Sequence, residues 1–410
     1  MIRDIPFWDK NTETMSRSDL DKIQLEGLKR QVEHALLTPY YKNRFMEAGI
    51  TGSSCIKQLS DIQNLPFTTK NDLRDAYPFG MLAVPKEDIV RIHASSGTTG
   101  TPTIIYHNKQ DLHMASDTMA RSLVAAGCTR GDIVQNMMTY GLFTGGLGFH
   151  YGAELIGMTV IPTSAGNTLR QIKFMKDFGT TVTHATPSYL LHLHQAIEES
   201  EYKRSDFQWR LAVTGAEPHS EELRCKIQDR LNIEVYNCYG MSELNGPGVA
   251  FECVFRSGLH IWEDRYIIEL INPDTLEPVA EGEIGELVVT ILHRDAMPLI
   301  RYRTRDLTRI IPEPCPCGRT HRRLARFTGR TDDMLIINGV NVFPSQIEEV
   351  LLKMRGVGAN YLIVVEKHGV LDKLTVQTEV TPEIFEDDAR VLNALRDKLK
   401  TELAALISIN

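Results

Sequence analysis

Six consecutive positions, Ser95-Ser96-Gly97-Thr98-Thr99-Gly100, carry four hydroxyls and two glycines, with Thr101-Pro102 directly behind. Glycine lets a backbone come close to a ligand and hydroxyls add donors, so this stretch suits an anion such as a phosphate, or is an ordinary Gly/Ser turn. The Walker A pattern G-x-x-x-x-G-K-[ST] is absent. A second group is Tyr239-Gly240-Met241-Ser242-Glu243. An aromatic beside a glycine can cover a flat base, and the carboxylate can hold a hard cation such as Mg²⁺; a helix N-terminus complemented by Ser242 and Glu243 is the alternative. Within Arg301-Tyr302-Arg303-Thr304-Arg305-Asp306, Asp306 has the chemistry to accept two ribose hydroxyls, or belongs to a solvated charge run on a strand edge. Arg330 and Asp332, in Gly329-Arg330-Thr331-Asp332-Asp333, suit a hinge or an exposed ion pair of little energetic weight.

Cys253, His260, Cys315 and Cys317 form a further candidate set. Three thiolates and an imidazole can build a structural tetrahedral zinc site, and Cys-Pro-Cys-Gly is a knuckle-like turn. The spacing departs from C-x₂-C, so His321 or Cys238 stand as substitutes, and four idle residues are the alternative. If zinc binds, it ties the loop after Glu243 to a β subdomain.

The elements that must position these residues follow from periodicity. Leu25, Leu28, Val32 and Leu36 mark an amphipathic helix over residues 18–37, and prolines at 39, 66, 78 and 85 break the next segment into short helices and turns. Short apolar runs at 89–92, 133–137, 158–161, 181–185, 211–214 and 233–236 alternate with helical periods at 109–126, 167–178, 188–199 and 220–231. That alternation predicts an α/β fold with a largely parallel sheet. Ligands on such sheets bind at the carboxyl ends of the strands, where 95–102, 140–148, 215–218 and 237–248 read as unusual loops. Residues 265–309 read as a smaller β subdomain. From Asp333 onward the order strand, helix, strand, strand, helix predicts a small α+β domain, with Pro344 in its first helical turn.

At 410 residues the chain has room for two or three domains. Its 42% apolar content and net charge of −8 fit a globular protein without a general footprint for nucleic acid. No apolar window approaches a membrane span, no signal peptide opens the chain, and seven scattered cysteines suit a reducing, cytoplasmic setting. The oligomeric state is open, a homodimer included.

The ordered set S-S-G-T-T-G-x-P-T, G-A-E-P, Y-G-x-S-E, R-Y-R-T-x-D and G-R-x-D-D resembles that of the adenylate-forming superfamily. Tyr140-Gly141-Leu142-Phe143-Thr144-Gly145-Gly146-Leu147-Gly148, together with Gly339-Val340-Asn341-Val342-Phe343-Pro344-Ser345, is similar to the phenylacetate–coenzyme A ligase family. The resemblance covers nearly the whole chain. It implies attack of a carboxylate on the α-phosphate of ATP, release of pyrophosphate, and displacement of AMP by coenzyme A. It also implies phosphate contacts from Ser95, Ser96, Gly97, Thr98, Thr99 and Gly100, and Mg²⁺ on Glu243. Gly215, Ala216, Glu217, Pro218, Asn237, Tyr239, Gly240, Met241 and Ser242 would frame the adenine end, with Asp306 on the ribose and Arg330 beside it. An aryl or arylacetic acid, phenylacetate first, would sit near Tyr140, Phe143, Gly145, Gly146 and Ala216. Residues 1–331 would form the adenylation domain and 332–410 a lid turning about Asp332, with Gly339, Val340 and Pro344 near the pantetheine path.

Two departures accompany the resemblance. Thr101 stands where family loops often carry lysine. The superfamily's C-terminal lysine, in a G-K segment, has no match after Leu399, because Lys398 and Lys400 read as helix. The expectation is therefore a truncated chain or slow adenylation. An adenylating enzyme that loads a carrier protein, and a nucleotide-binding protein without chemistry, are the competing readings; coenzyme A-dependent AMP formation and pyrophosphate release separate them.

Overall fold

The computed structural model describes residues 5–95, 101–217, 219–332, 335–337, 340–342, 344–368, 371–381 and 389–407. Ser96, Gly97, Thr98, Thr99, Gly100, Pro218 and Gly339 lie outside them, as does the side chain of Val340.

A nine-stranded sheet positions the site. Ile133–Asn136, Thr159–Ile161, Val182–Ala185, Leu211–Thr214 and Glu234–Met241 run parallel. Gly246–Glu252, Leu259–Ile261, Arg323–Leu324 and Ile310–Ile311 extend the sheet antiparallel. Val182–Ala185 and Leu211–Thr214 are buried at every residue, the pattern of strands covered on both faces. Helices Lys109–Ala125, Thr168–Asp177, Pro187–Glu198 and Glu221–Leu231 fall where the periodicity places them. Their starts are written locally: Asn108 and Asp111 close a capping box, and Thr186 caps a helix with Pro187 in its first turn.

Three expectations change, and the first is the stretch 237–248, which is no loop: the strands Glu234–Met241 and Gly246–Glu252 run into it and pair antiparallel around the turn Ser242–Leu244. The run at 89–92 does not open the parallel sheet. Arg91–Ser95 pairs antiparallel with Thr103–His107 as a separate two-stranded hairpin that sets Ser95 opposite Thr103. So short a connection can close a hairpin but cannot make the crossover that parallel strands need. The stretch 140–148 is only half a loop, because the helix Thr144–Ile156 begins inside it. Glycine is a poor helix former, but a side chain at Gly146 would put its Cβ 2.6 Å from the Thr139 carbonyl oxygen, so close packing overrides propensity there.

Tyr266–Ile271, Gly285–Ile291, Tyr302–Thr308 and Gly329–Arg330 form the four-stranded antiparallel sheet expected of the β region. Its arginine run is internally paired rather than solvated: Arg301 forks onto Glu269 at 3.0 and 2.8 Å, and Arg303 onto Glu286 at 2.9 and 2.6 Å. The N-terminal helix Arg17–Ala35 is tied to this region by Gln24, which donates to the carbonyls of Glu263 and Tyr266.

The last portion comprises the hairpin Leu335–Ile337 with Val340–Val342, the helix Pro344–Lys353, the hairpin Val357–His368 with Leu371–Val380, and the helix Ala389–Ile407. Ile337, Val342, Ile347, Leu351 and Val357 give it an apolar core of its own. Among the described residues, no helix is long and apolar enough to cross a membrane.

Candidate active site

Tyr239 stands near the end of the strand Glu234–Met241. Its hydroxyl donates to Asp306 Oδ2 at 2.6 Å, and its ring stacks on Phe327 with centroids 4.1 Å apart. Asp306 and Arg330 are paired across neighbouring strands, so the guanidinium reaches Asp306 Oδ1 at 3.0 Å while its other nitrogens hold Asp332 at 2.8 and 3.0 Å. Burial pushes the Asp306 carboxyl up to about 6, against the opposing pull of Arg330 and the Tyr239 hydroxyl. Two of its four lone-pair sites are spent on these partners, which leaves acceptor capacity for a ligand's hydroxyls.

Ala216, Glu217, Asn237, Tyr239, Asp306 and Arg330 line one cavity of about 270 Å³, with Pro344 of the last portion on its rim. Sequence reading gathered the first six; it placed Pro344 elsewhere, near the pantetheine path. Gly240 is obligatory here, because a Cβ would lie 1.9 Å from the Gly246 carbonyl oxygen. Ala216 sits at φ +67°, a left-handed conformation that costs a non-glycine residue about 1–3 kcal/mol.

Where the two-stranded hairpin meets the turn after Met241, Ser95 and Thr103 join by a short hydroxyl–hydroxyl hydrogen bond, and Thr103 Oγ1 lies 3.5 Å from Glu243 Oε1. Glu243 is only 3% exposed. It occupies the short 3₁₀ turn Ser242–Leu244, not the start of an α-helix. Two cations missed from the sequence attend it. Lys70 Nζ lies 3.7 Å from its carboxylate, and the fully buried Arg294 donates to its backbone oxygen at 2.6 Å. Arg294 Nε and Nη2 have no partner among the described residues. The local signal at Lys70 is a capping box, Thr69 with Asp72, that marks a helix start and says nothing about Glu243.

A second cavity, of about 290 Å³, is walled by Phe143, Gly145, Gly146, Ala216, Met241 and His184. A Cβ at Gly145 would meet only open space. Tyr140 departs from expectation, since it does not line this cavity. Its hydroxyl accepts from Asn136 Nδ2 at 2.7 Å and lies 3.1 Å from His150 Nδ1. His184 and Asn136 carried no motif and were missed.

The ligand atoms of Cys253, His260, Cys315 and Cys317 all lie within 4.8 Å of one another, and all four residues are buried. His260 Nδ1 donates to the His321 carbonyl at 3.2 Å, which leaves Nε2 bare and 3.4 Å from Cys317 Sγ. That tautomer suits a metal ligand. His321 is spent elsewhere, on the Glu263 amide and the Thr12 carbonyl. The cluster joins the antiparallel end of the main sheet, through Leu259–Ile261 and the turn between Ile310–Ile311 and Arg323–Leu324, and not the four-stranded β region the sequence suggested.

Comparison with known proteins accounts for this arrangement. Residues 43–291 match the AMP-binding enzyme family, and residues 339–410 its C-terminal domain. The chain is 45% identical to the phenylacetate–coenzyme A ligase of Thermus thermophilus, over 97% of this chain and 92% of that protein. It is also 45% identical to the Escherichia coli K12 phenylacetate–coenzyme A ligase, over 95% and 90%. The chain belongs to this family. The ligase is AMP-forming, and its substrates are a carboxylic acid, ATP and coenzyme A. A 2-hydroxyisobutyryl-CoA ligase, 27% identical, overlays on it in the postadenylation state with 2-HIB-AMP at a TM-score of 0.93, covering 100% of this chain and 88% of that one. The same neighbour in its thioesterification state, with 2-HIB-AMP and coenzyme A, overlays at 0.77, covering 98% and 87%.

Proposed function

We propose that this ligase activates an aryl or arylacetic acid, phenylacetate first, as its acyl-adenylate and passes the acyl group to coenzyme A. The observation that carries the reading is a shared wall. Ala216, Gly240 and Met241 border both the Asp306 cavity and the Phe143 cavity, so an acid in one meets a nucleotide in the other. The relatives named phenylacetate–coenzyme A ligase support the choice of acid, and a cavity opened at Gly145 beside Phe143 suits a flat ring.

In this reading Asp306 accepts the ribose hydroxyls, Tyr239 covers the base, and residues 95–100 wrap the phosphates. Arg330 holds Asp306 in place. Glu243 and Thr103 have the hard oxygen donors that suit Mg²⁺, which when bound neutralises phosphate charge. Lys70 and Arg294 add positive charge at the end where Thr101 withholds it. Residues 1–331 act as the adenylation domain and 332–410 as a lid turning about Asp332, carrying residues 339–344 toward the thiol path. The likeness to the postadenylation neighbour supports a lid poised after the first half-reaction. The Cys₃His cluster holds a structural zinc, consistent with its donor set and the bare His260 Nε2.

The test is pyrophosphate release over a panel of acids, with and without coenzyme A. Phenylacetate should support both pyrophosphate release and thiol-dependent AMP formation. Turnover confined to aliphatic acids would remove the aryl assignment.

A further inference from the structure

Among the described residues that line the Phe143 cavity, His184 is the polar ring, and its hydrogen-bonding state is fixed by its surroundings. Asn136 Nδ2 donates to the Gly146 carbonyl at 2.8 Å, a bond only the amide nitrogen can make, and the Met138 amide points at Asn136 Oδ1 from 3.3 Å. The Asn136 oxygen therefore faces His184 Nδ1 at 3.0 Å. An amide oxygen only accepts, so the proton of His184 sits on Nδ1. Nε2 is left as a bare acceptor, with no partner among the described residues, on a ring that lines the cavity. Phe149 stacks flat on that ring, with centroids 4.0 Å apart and planes 8° from parallel, and holds its orientation. Burial drives the imidazole down to about 3, so it stays neutral in ordinary buffers.

A neutral lone pair repels a carboxylate, so the acid's carboxyl group faces the wall shared with the Asp306 cavity, at Ala216, Gly240 and Met241, and not His184. What meets His184 is the far part of the acid. We propose that His184 selects, through Nε2, for aryl acids that carry a hydrogen-bond donor on the ring, a hydroxyl or amino group. This rests on the arylacetate reading above and refines its order, with ring-hydroxylated or amino arylacetates turned over ahead of phenylacetate, which stays a substrate. A ligand hydroxyl that bonds Nε2 pairs an acceptor on a buried ring, whereas an unsubstituted aryl group offers it no donor.

The experiment compares kcat/KM for the ortho, meta and para hydroxyphenylacetates with their fluoro counterparts, in acid-dependent pyrophosphate release. Fluorine is close to hydroxyl in size and cannot donate. In the wild-type enzyme at least one hydroxyl isomer should exceed its fluoro partner by about tenfold or more, and in His184→Phe or His184→Leu that ratio should fall toward one. Equal rates in the wild type, or a hydroxyl preference that survives both substitutions, would overturn the inference while leaving arylacetate activity intact. Failure of every arylacetic acid, fluorinated or not, would instead defeat the proposed function. The wild-type ratio stands even if a variant does not fold.

Discussion

With the Asp306 carboxyl raised by burial to about 6, its proposed role on the ribose should make nucleotide binding and stability respond oppositely to pH. Between its unfolded value near 4 and its folded value, the native state holds the proton more tightly, so this group's contribution to stability is full below the unfolded value and is lost as pH rises through about 6. Ribose hydroxyls need the ionised form as acceptor. The KM for ATP should therefore fall as pH rises through this window, and Asp306→Asn should abolish the trend in both KM and melting temperature. Lys70 is the second residue to test. Losing a partly exposed ammonium beside the buried Glu243 should raise the KM for ATP about tenfold in Lys70→Met, with partial rescue in Lys70→Arg. Glu243→Gln should cost kcat ~10²–10³-fold and blunt the dependence on Mg²⁺ in the same assay.

Among the elements, the antiparallel end of the main sheet carries the clearest structural prediction. Leu259–Ile261 and Arg323–Leu324 are short, and each presents little ladder of its own. Zinc on Cys253, His260, Cys315 and Cys317 would lock them together. Purified protein should contain one zinc per chain by metal analysis, and Cys317→Ser should release it and lower the Tm by several degrees. An unchanged Tm together with no stoichiometric metal would leave the cluster as four packed side chains. The hairpin Arg91–Ser95 with Thr103–His107 is the other element whose placement matters, because Ser95 pairs with Thr103, whose hydroxyl lies 3.5 Å from Glu243 Oε1.

For the whole molecule, the proposal of a lid turning at Asp332 separates the two half-reactions. Asp332 lies just before the last portion and is held by Arg330 from the main body. Asp332→Pro should restrict rotation there, leaving acid-dependent pyrophosphate release within about threefold of wild type while lowering coenzyme A-dependent AMP release by ~10-fold or more. A parallel loss in both assays would place Asp332 in the first step instead.

Local rules were enough for much of this chain. Alternating apolar runs specify the parallel strands, and Pro187 and Pro344 mark helix starts. The ordered motifs, by resemblance, specify the residues around the Asp306 cavity, because their spacing is set by strand ends. Three features could not be read. The 89–92 run looks like any buried strand, and only the pairing of Ser95 with Thr103 shows it to be a hairpin. Lys70 and Glu243 meet only through packing of the N-terminal layer against the sheet. His184 is one apolar-run residue among many until Asn136 and Gly146 fix its proton and its ring is found in the wall of the Phe143 cavity. Sequence determined which chemistry the chain can carry, since residue type and short-range order are local properties. Only the tertiary structure decided which charges and lone pairs face the ligands, because that depends on contacts between segments far apart in the chain.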